Sequence, residues 1–580
     1  MLGDEVGYSV RFDHCWHDER TRLKFLSDGT LVREIMADPL LSRYSVVMVD
    51  EAHERHLDTD VLLGLLKKIQ RKRRSFRLVV ASATLDAAHM HAFLNRTRID
   101  GDGNTGDSCC IVSVDGRQFA VDVHYALAPV ADYVLAALDT VLAIQRTQPP
   151  GDVLVFLTGQ QEIDELVAHL REQAPTQLLP LPLHALLAHA DQQRVFAPAP
   201  RGVRKVIVAT NVAEASLTID GVVYVVDSGF VKLRTFDPHS GCEALVVTPE
   251  SQASARQRAG RAGRVQPGKC YRLFTEAAFD TMPVHTTPEM QRTALDRIVL
   301  DLKALGIDNV LRFDFPSPPP VEALLHALEL LYALGAIDES GALTPLGAQC
   351  GALPLAPALA VALLRAHERD VTEELLSIVA MTTVDQVFAD AGLGTVDAGS
   401  FAVLEGDHLS LLNVFTAYSA AQSPDNWCGR HRVRASSLRR AAQVRSQLRA
   451  ALRSARAGAP PEAAAATAAA AAAQRDEDLS TRVRKALVVG LFPNAACLGK
   501  DGSYRTIRGK DRLFIHPSSV LFRRPPTWLV FQDVEFTKKQ FLRDVTAIEP
   551  EWLVALSGHF YEFKAKRDAE RMGVSMLFRD

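Results

Sequence analysis

Along residues 44–150 the chain alternates short apolar runs ("YSVVMVD", "FRLVVASAT", "DSCCIVSV") with amphipathic stretches ("TDVLLGLLKKIQRK", "ADYVLAALDTVLAIQR"). That alternation predicts a parallel sheet whose strands are joined by crossover helices. The pattern restarts at "GDVLVFLTG", "RKVIVATN" and "GVVYVVDSG", strands apolar enough to be covered on both faces. Two α/β units in tandem follow, dividing near Pro149-Pro150-Gly151. Past residue 270 helical periodicity takes over in "TALDRIVLDLKALG", "VEALLHALELLYALG" and "VTEELLSIVAMTT", and strand patterns return only in "SSVLF" and "TWLVFQDV". Between the two lies "AGAPPEAAAATAAAAAAQRDED". It has no large apolar face to pack with, so it reads as a low-complexity linker or insertion.

Composition changes this picture little. At 580 residues the chain exceeds one core, and 47% hydrophobic with 23% charged residues is ordinary for globular protein. No apolar run reaches the length of a membrane span, and the N-terminus lacks a signal-peptide pattern. The eight cysteines carry no metal spacing, and Cys109-Cys110 is vicinal, so they read as reduced thiols of a cytosolic or nuclear protein. A net charge of −4 decides nothing about nucleic acid, because a basic channel can sit in an acidic surface.

The chemistry is concentrated at two places. "SVVMVDEAHERHLDTD" is an apolar strand that stops on Asp50 and Glu51. Strands do end in polar turns, but a nucleotide-hydrolysing α/β fold needs this ending. An Asp at the carboxyl edge of the sheet holds Mg²⁺ on the terminal phosphates, and a neighbouring Glu orients or deprotonates water. The second place is "QRAGRAGR", residues 257–264, at the end of the second α/β unit. Three arginines among small residues make a poor core, since unpaired buried guanidinium is costly. The arginine fork suits phosphate oxygens, and glycine and alanine let the backbone approach a partner. A surface basic patch is the plainer alternative.

With these motifs in order, the chain resembles a DEAH-box RNA helicase. They are "SDGTLVRE" (27–34), "DEAH" (50–53), "SAT" (82–84), "FLTGQQEI" (156–163), "ATNVAEASLTIDG" (209–221) and "QRAGRAGR". "PEMQR", "FPSPPP", "GDHLSLLNVF", "YRTIR" and "IHPSSVL" extend the resemblance over nearly the whole chain. It implies an α/β fold with two tandem RecA-like domains, the first incomplete, then winged-helix, ratchet-like helical-bundle and OB-type barrel domains. The implied limits are 1–127, 128–276, 277–350, 351–457, a linker at 458–480, and 481–580.

The resemblance also implies roles. Asp50 and Glu51 would hold Mg²⁺ and position water, with His53 and Gln257 in the same catalytic set, and Arg261 and Arg264 would reach the γ-phosphate. Ser82 and Thr84 would couple nucleotide state to RNA. Ser216, Thr218 and Asp220 would lie near the nucleotide, ATP or another NTP. Phe196 would stack on the base, a core position being the rival reading. Arg11, Ser27, Thr158 and Asn211 would touch single-stranded RNA through its backbone. "VKLRTF" and "EALVVT" around Pro-His-Ser-Gly predict a β-hairpin, which the family uses as a wedge. Arg430, Arg432, Arg434, Arg439 and Arg440 face RNA or, by default, form a solvated helix face; "RKRR" at 71–74 resembles a nuclear address but reads first as the solvated end of a helix. An activating protein partner, a ribonucleoprotein complex, pre-mRNA splicing or other RNA processing, and a nuclear rather than cytoplasmic location are further implications.

The chain departs from the family in four respects. No G-x-x-x-x-G-K-[ST] phosphate loop occurs in it. The near miss "GRVQPGKC", Gly263–Cys270, lacks the Mg²⁺-binding hydroxyl and follows the arginine motif, so it reads as a decoy. The chain therefore reads as a helicase without its front, inactive as it stands. Ser27 keeps the hydroxyl of the usual Thr, Ala215 loses one, and His56 replaces Thr with no consequence legible in sequence. A non-catalytic RNA- or partner-binding protein and a structural subunit remain alternatives.

Overall fold

A computed structural model describes all residues except 1, 11–12, 84–86, 96, 100–104, 115, 117–118, 175, 186, 188, 215–216, 385–386, 389–400, 457–476, 507–511, 537–538, 566–571 and 577–580. The side chains of 97–99, 105–107, 189–190, 562–565 and 572–576 are likewise not described. The Ala-rich linker, Arg11, Thr84, Ala215 and Ser216 lie outside the described residues. The chain divides into two units: residues 1–83, 235–244 and 288–580, and residues 84–234 with 245–287.

The first unit opens with β1 (Val6–Val10), β2 (Asp13–Cys15) and β3 (Leu23–Leu26), a small sheet in the order β2-β1-β3. Helix α1 (Asp28–Ala37) follows, then β4 (Val46–Val49), α2 (Leu57–Lys72) and β5 (Arg77–Val80). β4 and β5 pair in parallel, Val46 to Arg77 through Val49 to Val80. Their apolar residues alternate. Val47 and Val49 are buried, while Val46, Met48 and Val79 are 55%, 61% and 46% exposed. A parallel sheet is normally covered on both faces; among the described residues this one is covered on one.

In the second unit, α3 (Ala87–Leu94), β6 (Thr97–Ile99) and β7 (Thr105–Asp107) precede an extended stretch. The run "DSCCIVSV" does not form the strand that its composition predicts beyond Asp107, and Ile111, Val112 and Val114 are exposed. Strand composition acts only where an edge is free to pair. β8 (Val121–Tyr125) corrects the domain limit at 127. It is the edge strand of the second sheet, paired in parallel with the strand at Gly268–Arg272.

α4 (Tyr133–Thr147), β9 (Asp152–Phe156), α5 (Gln160–Gln173), β10 (Leu178–Leu183), α6 (His189–Gln193), β11 (Arg204–Ala209) and β12 (Val222–Asp227) then alternate as the periodicity predicts. β13 (Phe230–Asp237) and β14 (Cys242–Pro249) form the expected hairpin; α7 (Gln252–Gly260), β15 (Gly268–Arg272) and α8 (Glu276–Thr281) close the segment. The six-stranded sheet runs β10-β11-β9-β12-β15-β8, a RecA-like parallel sheet. Its central strands β9, β11 and β12 are almost wholly buried, so their unbroken apolar runs are core from both sides. Cys270 lies inside β15, where burial pushes its thiol up, so Gly263–Cys270 runs into a strand and not into a helix.

The rest of the first unit is helical, then barrel. α9 (Asp296–Ala304), α10 (Val321–Ala333) and α11 (Pro345–Ala352) surround the short Ile337–Leu343 bridge of a winged helix. α12 (Pro357–Arg365), α13 (Thr372–Thr382), α14 (Asp407–Ala420), α15 (Pro424–Arg430) and α16 (Ala435–Arg456) follow. Arg430 ends α15, and Arg439 lies on α16 with its guanidinium 3.9 Å from Asp425. A five-stranded closed barrel between Ala495 and Ala547 completes the predicted OB-type domain. Among the described residues no single helix is long and apolar enough to cross a membrane.

Two motifs without a role in sequence explain how α14 meets the barrel. Gly406 has φ 137°, and a Cβ there would meet the Val545 carbonyl at 2.4 Å, so only glycine permits the bridge to Thr546. Asp407 accepts from the Ser519 hydroxyl and from the Val520 and Val545 amides, each at 3.0 Å. Burial, with Asp544 adding to it, pushes Asp407 up to about 7 against those donors. His408 lies 2.8 Å from the Thr546 hydroxyl, and burial lowers it to about 4, so it is neutral at physiological pH. "GDHL" and "IHPSSVL" are thus two sides of one docking joint.

Candidate active site

In the first unit the acids stand where the strand stops. Asp50 is exposed at the carboxyl end of β4, and its Oδ1 accepts the Glu51 amide at 2.9 Å. Glu51 takes a left-handed conformation, φ 51°, turning the chain into the 3-10 turn Ala52–Glu54. That turn is tied to β5, because Ala52 donates to the Ala81 carbonyl at 3.0 Å and Ala81 to that of Val49 at 2.8 Å. His53, whose side chain is only 6% exposed, accepts from the Ala83 amide through Nδ1 at 3.2 Å, and its Nε2 lies 3.4 Å from Glu51 Oε2. The DEAH histidine therefore connects the Glu51 carboxylate to the SAT segment, whose Ser82 is exposed. An exposed and a half-buried carboxylate at a strand end suit a hard, oxygen-seeking cation such as Mg²⁺ held chiefly by phosphates and water.

His56 acquires a role that sequence did not show. Its Nδ1 lies 3.3 Å from Glu289 and its Nε2 2.7 Å from Glu54. Glu289 also caps α2, accepting the Leu57 amide at 2.9 Å. Bonds to Glu289 and then Glu54 raise His56 to about 10; burial opposes ionisation of Glu289, but His56 and the Leu57 amide bring it to about 2. Beside them, Arg55 makes a buried bidentate pair with Asp60, both bonds 2.9 Å, and bonds Ser317 at 2.7 Å. "PEMQR" and "FPSPPP" thus fasten the winged helix to the DEAH turn. A group with a raised folded pKa stabilises fully below its unfolded value and loses that contribution as pH rises through the folded one. The melting temperature should therefore fall between about pH 6.5 and 10 relative to a His56→Thr chain; parallel profiles for the two chains would remove this role.

RNA-side candidates in this unit are few. Ser27 occupies the N-cap position of α1, exposed, its hydroxyl 2.8 Å from that of Thr30.

In the second unit the arginine motif is built on α7. Ser251 caps it by accepting the Ser254 amide at 3.1 Å, Gln257 lies half-buried on it, and it ends at Gly260 before a 3-10 turn, Arg261–Gly263. The motif's small residues approach the protein's own backbone. A Cβ on Gly263 would meet the Phe119 carbonyl at 2.6 Å, and one on Gly268 that of Ala262 at 2.5 Å. All three arginines reach the loop 211–220. Arg258 pairs with Glu214 at 3.0 Å, Arg261 donates to the Leu217 carbonyl at 2.6 Å and to that of Glu214, and Arg264 bonds the Thr218 hydroxyl. Arg261 is 7% exposed and already engaged with the loop, whereas Arg264 and Thr218 are exposed. Asp220 and Asn211 at the loop's ends are exposed too.

Arg258 is the residue that sequence reasoning missed. It is 1% exposed and meets three carboxylates: Glu214, Asp227 at 2.8 Å and Glu250 at 2.9 Å. Those partners lie on a loop, at the end of β12 and just after β14, so no local pattern announces them. Thr158 begins the turn into α5. It is 7% exposed, and its amide and hydroxyl both bond Glu162, at 3.0 and 2.9 Å, which fixes the start of α5. Phe196 is 47% exposed on a 3-10 turn, Arg194–Phe196, which removes the core reading.

Comparison with known proteins agrees with this architecture. Residues 134–266 match the description "Helicase conserved C-terminal domain", 327–355 "Helicase associated domain (HA2), winged-helix", and 483–561 "Oligonucleotide/oligosaccharide-binding (OB)-fold". The chain is 48% identical to the Probable ATP-dependent RNA helicase DHX35 of Homo sapiens, over 98% of this chain and 81% of that protein. It is 44% identical to the Probable ATP-dependent RNA helicase DHX35 homolog of Caenorhabditis elegans, over 97% of this chain and 76% of that protein.

Proposed function

The chain belongs to the DEAH-box RNA helicase family, and on that premise we propose that it couples NTP hydrolysis to movement along single-stranded RNA. The observation that supports this best is the joint between the arginine segment and loop 211–220. Arg264 is exposed, free to meet a phosphate, and bonds Thr218 in the loop that runs from Asn211 to Asp220. A change felt by the arginines is thereby carried into a loop that can touch RNA.

When bound with nucleotide, Mg²⁺ supplies charge neutralisation at the terminal phosphates. Asp50 would hold it, Glu51 would orient and deprotonate water with Gln257 assisting, and His53 would keep Glu51 registered against the SAT segment. Arg264 would stabilise the developing charge, Arg261 would hold the loop, and Phe196 would stack on the base. No stretch of the 580 residues supplies a Gly-Lys-Ser/Thr phosphate cradle. The chain by itself is therefore expected not to hydrolyse ATP. Extended at its N-terminus by the phosphate-binding segment of a relative, it is expected to do so with RNA stimulation. An activating protein partner and a nuclear RNA-processing setting belong to the same proposal, and tagged localisation checks the latter.

RNA binding should be weak, sequence-tolerant and salt-dependent, because backbone phosphate is what such a surface recognises. Titrating labelled unstructured oligonucleotides should give a log affinity that falls linearly with log salt, about 0.7 per phosphate neutralised. Salt-independent affinity, or strong preference for one sequence, would refute the backbone reading.

A further inference from the structure

The adjacent residues Arg204 and Lys205 begin β11 and point to opposite faces of the sheet. Arg204 caps the end of α4, donating to the Ile144, Gln148 and Pro149 carbonyls. Lys205 turns inward. Its side chain is 2% exposed, a costly place for an ammonium group unless its N–H donors are all used. They are. Nζ lies 2.8 Å from the Val195 carbonyl, 3.0 Å from that of Ala197 and 3.5 Å from the Asp152 carboxylate. The two carbonyls bracket Phe196. Val195 is fully buried in the core, and Phe196 projects 47% exposed from the turn between them.

We propose that Lys205 is a positioning residue, whose buried ammonium grips the carbonyls on either side of Phe196 and holds that ring outward as the platform for the nucleotide base. The proposal rests on the reading of Phe196 as the base-stacking residue. It accounts for a buried lysine leading into the apolar run Val206, Ile207, Val208 and Ala209. A hydrophobic side chain would pack there more cheaply, but would leave the Val195 and Ala197 carbonyls without this donor and the turn free to rotate. Asp152, whose carboxylate the lysine approaches, also accepts the Lys205 amide at 3.2 Å, so the lysine is fixed at both ends.

Two measurements separate the lysine's role from the ring's. In the 580-residue chain, amide exchange at 195–198 should quicken roughly tenfold in Lys205→Met while the melting temperature of the unit changes little. Unchanged exchange overturns the grip. If Lys205→Met does not fold, Lys205→Gln, which keeps two donors on a shorter chain, should show the same local quickening, and its absence there overturns the grip equally. In the extended chain, Phe196→Ala should raise the KM for ATP roughly tenfold at nearly constant kcat, since aromatic–base stacking acts in binding. Lys205→Met should raise KM several-fold, and the double variant should be no worse than Phe196→Ala alone. Additive effects, or a Lys205→Met chain with normal KM, overturn the positioning role. A normal KM in Phe196→Ala overturns the base-stacking reading instead, and with it any purpose for the platform.

Discussion

In the chain extended by a phosphate-binding segment, Glu51→Gln is expected to abolish turnover while sparing nucleotide binding, and Arg264→Ala to lower turnover by roughly 10³-fold or more. The two effects differ in origin. Gln at 51 keeps the shape of the side chain and its left-handed backbone turn but cannot take a proton from water. Arg264 is exposed with its guanidinium on the Thr218 hydroxyl, so its loss would remove the charge proposed to meet the phosphate and would loosen the loop. Phosphoryl transfer depends mainly on positioning and charge neutralisation, so the 580-residue chain alone, without a cradle and its lysine, should show no measurable ATPase. Robust hydrolysis by that chain that survives Glu51→Gln would place catalysis elsewhere. An extended chain that binds ATP and RNA yet never hydrolyses would favour the non-catalytic reading, with His56 and Ala215 as the first substitutions to revert.

Local chemistry made half of this protein legible. β4 ending in Asp50-Glu51, the buried runs of β9, β11 and β12, and the hairpin around Pro238–Gly241 are each set by residues adjacent in sequence. What stayed hidden depends on partners far along the chain. "GDHL" showed no purpose until Asp407 was seen to accept amides from 520 and 545, more than 110 residues on. His56 was unreadable because Glu289, its main partner, comes 233 residues later in the segment that also caps α2. Thr158 carried a family expectation, and its hydroxyl also bonds Glu162 four residues on, a local contact that the sequence did contain. "DSCCIVSV" had strand composition, but among the described residues 108–114 pair with no strand, and composition cannot supply an edge.

Arg258→Met should damage the second unit more than any other single change in the arginine motif. The guanidinium is enclosed by Glu214, Asp227 and Glu250, and both Asp227 and Glu250 keep one buried oxygen without a hydrogen-bond partner. Removing the guanidinium from among three carboxylates costs about 3–5 kcal/mol, or a drop in melting temperature of roughly 10 °C for a unit of this size. The cluster already carries surplus negative charge. Burial, with Asp227 beside it, pushes Glu250 well above the usual carboxyl range despite Arg258. A carboxyl raised on folding stabilises fully below its unfolded value of about 4.5 and loses that contribution as pH rises toward the folded value. Stability of the unit should therefore decline as pH rises above about 4.5. Glu250→Gln, which keeps the shape without the proton, should flatten the decline and match or exceed the parent's melting temperature at pH 8. Because Arg258 also holds Glu214 at the root of loop 211–220, Arg258→Met in the extended chain should lose RNA stimulation of hydrolysis before basal hydrolysis. A native melting temperature in Arg258→Met, or a Glu250→Gln chain as unstable as Arg258→Met, would show that the cluster is neither charge-strained nor the anchor of the loop.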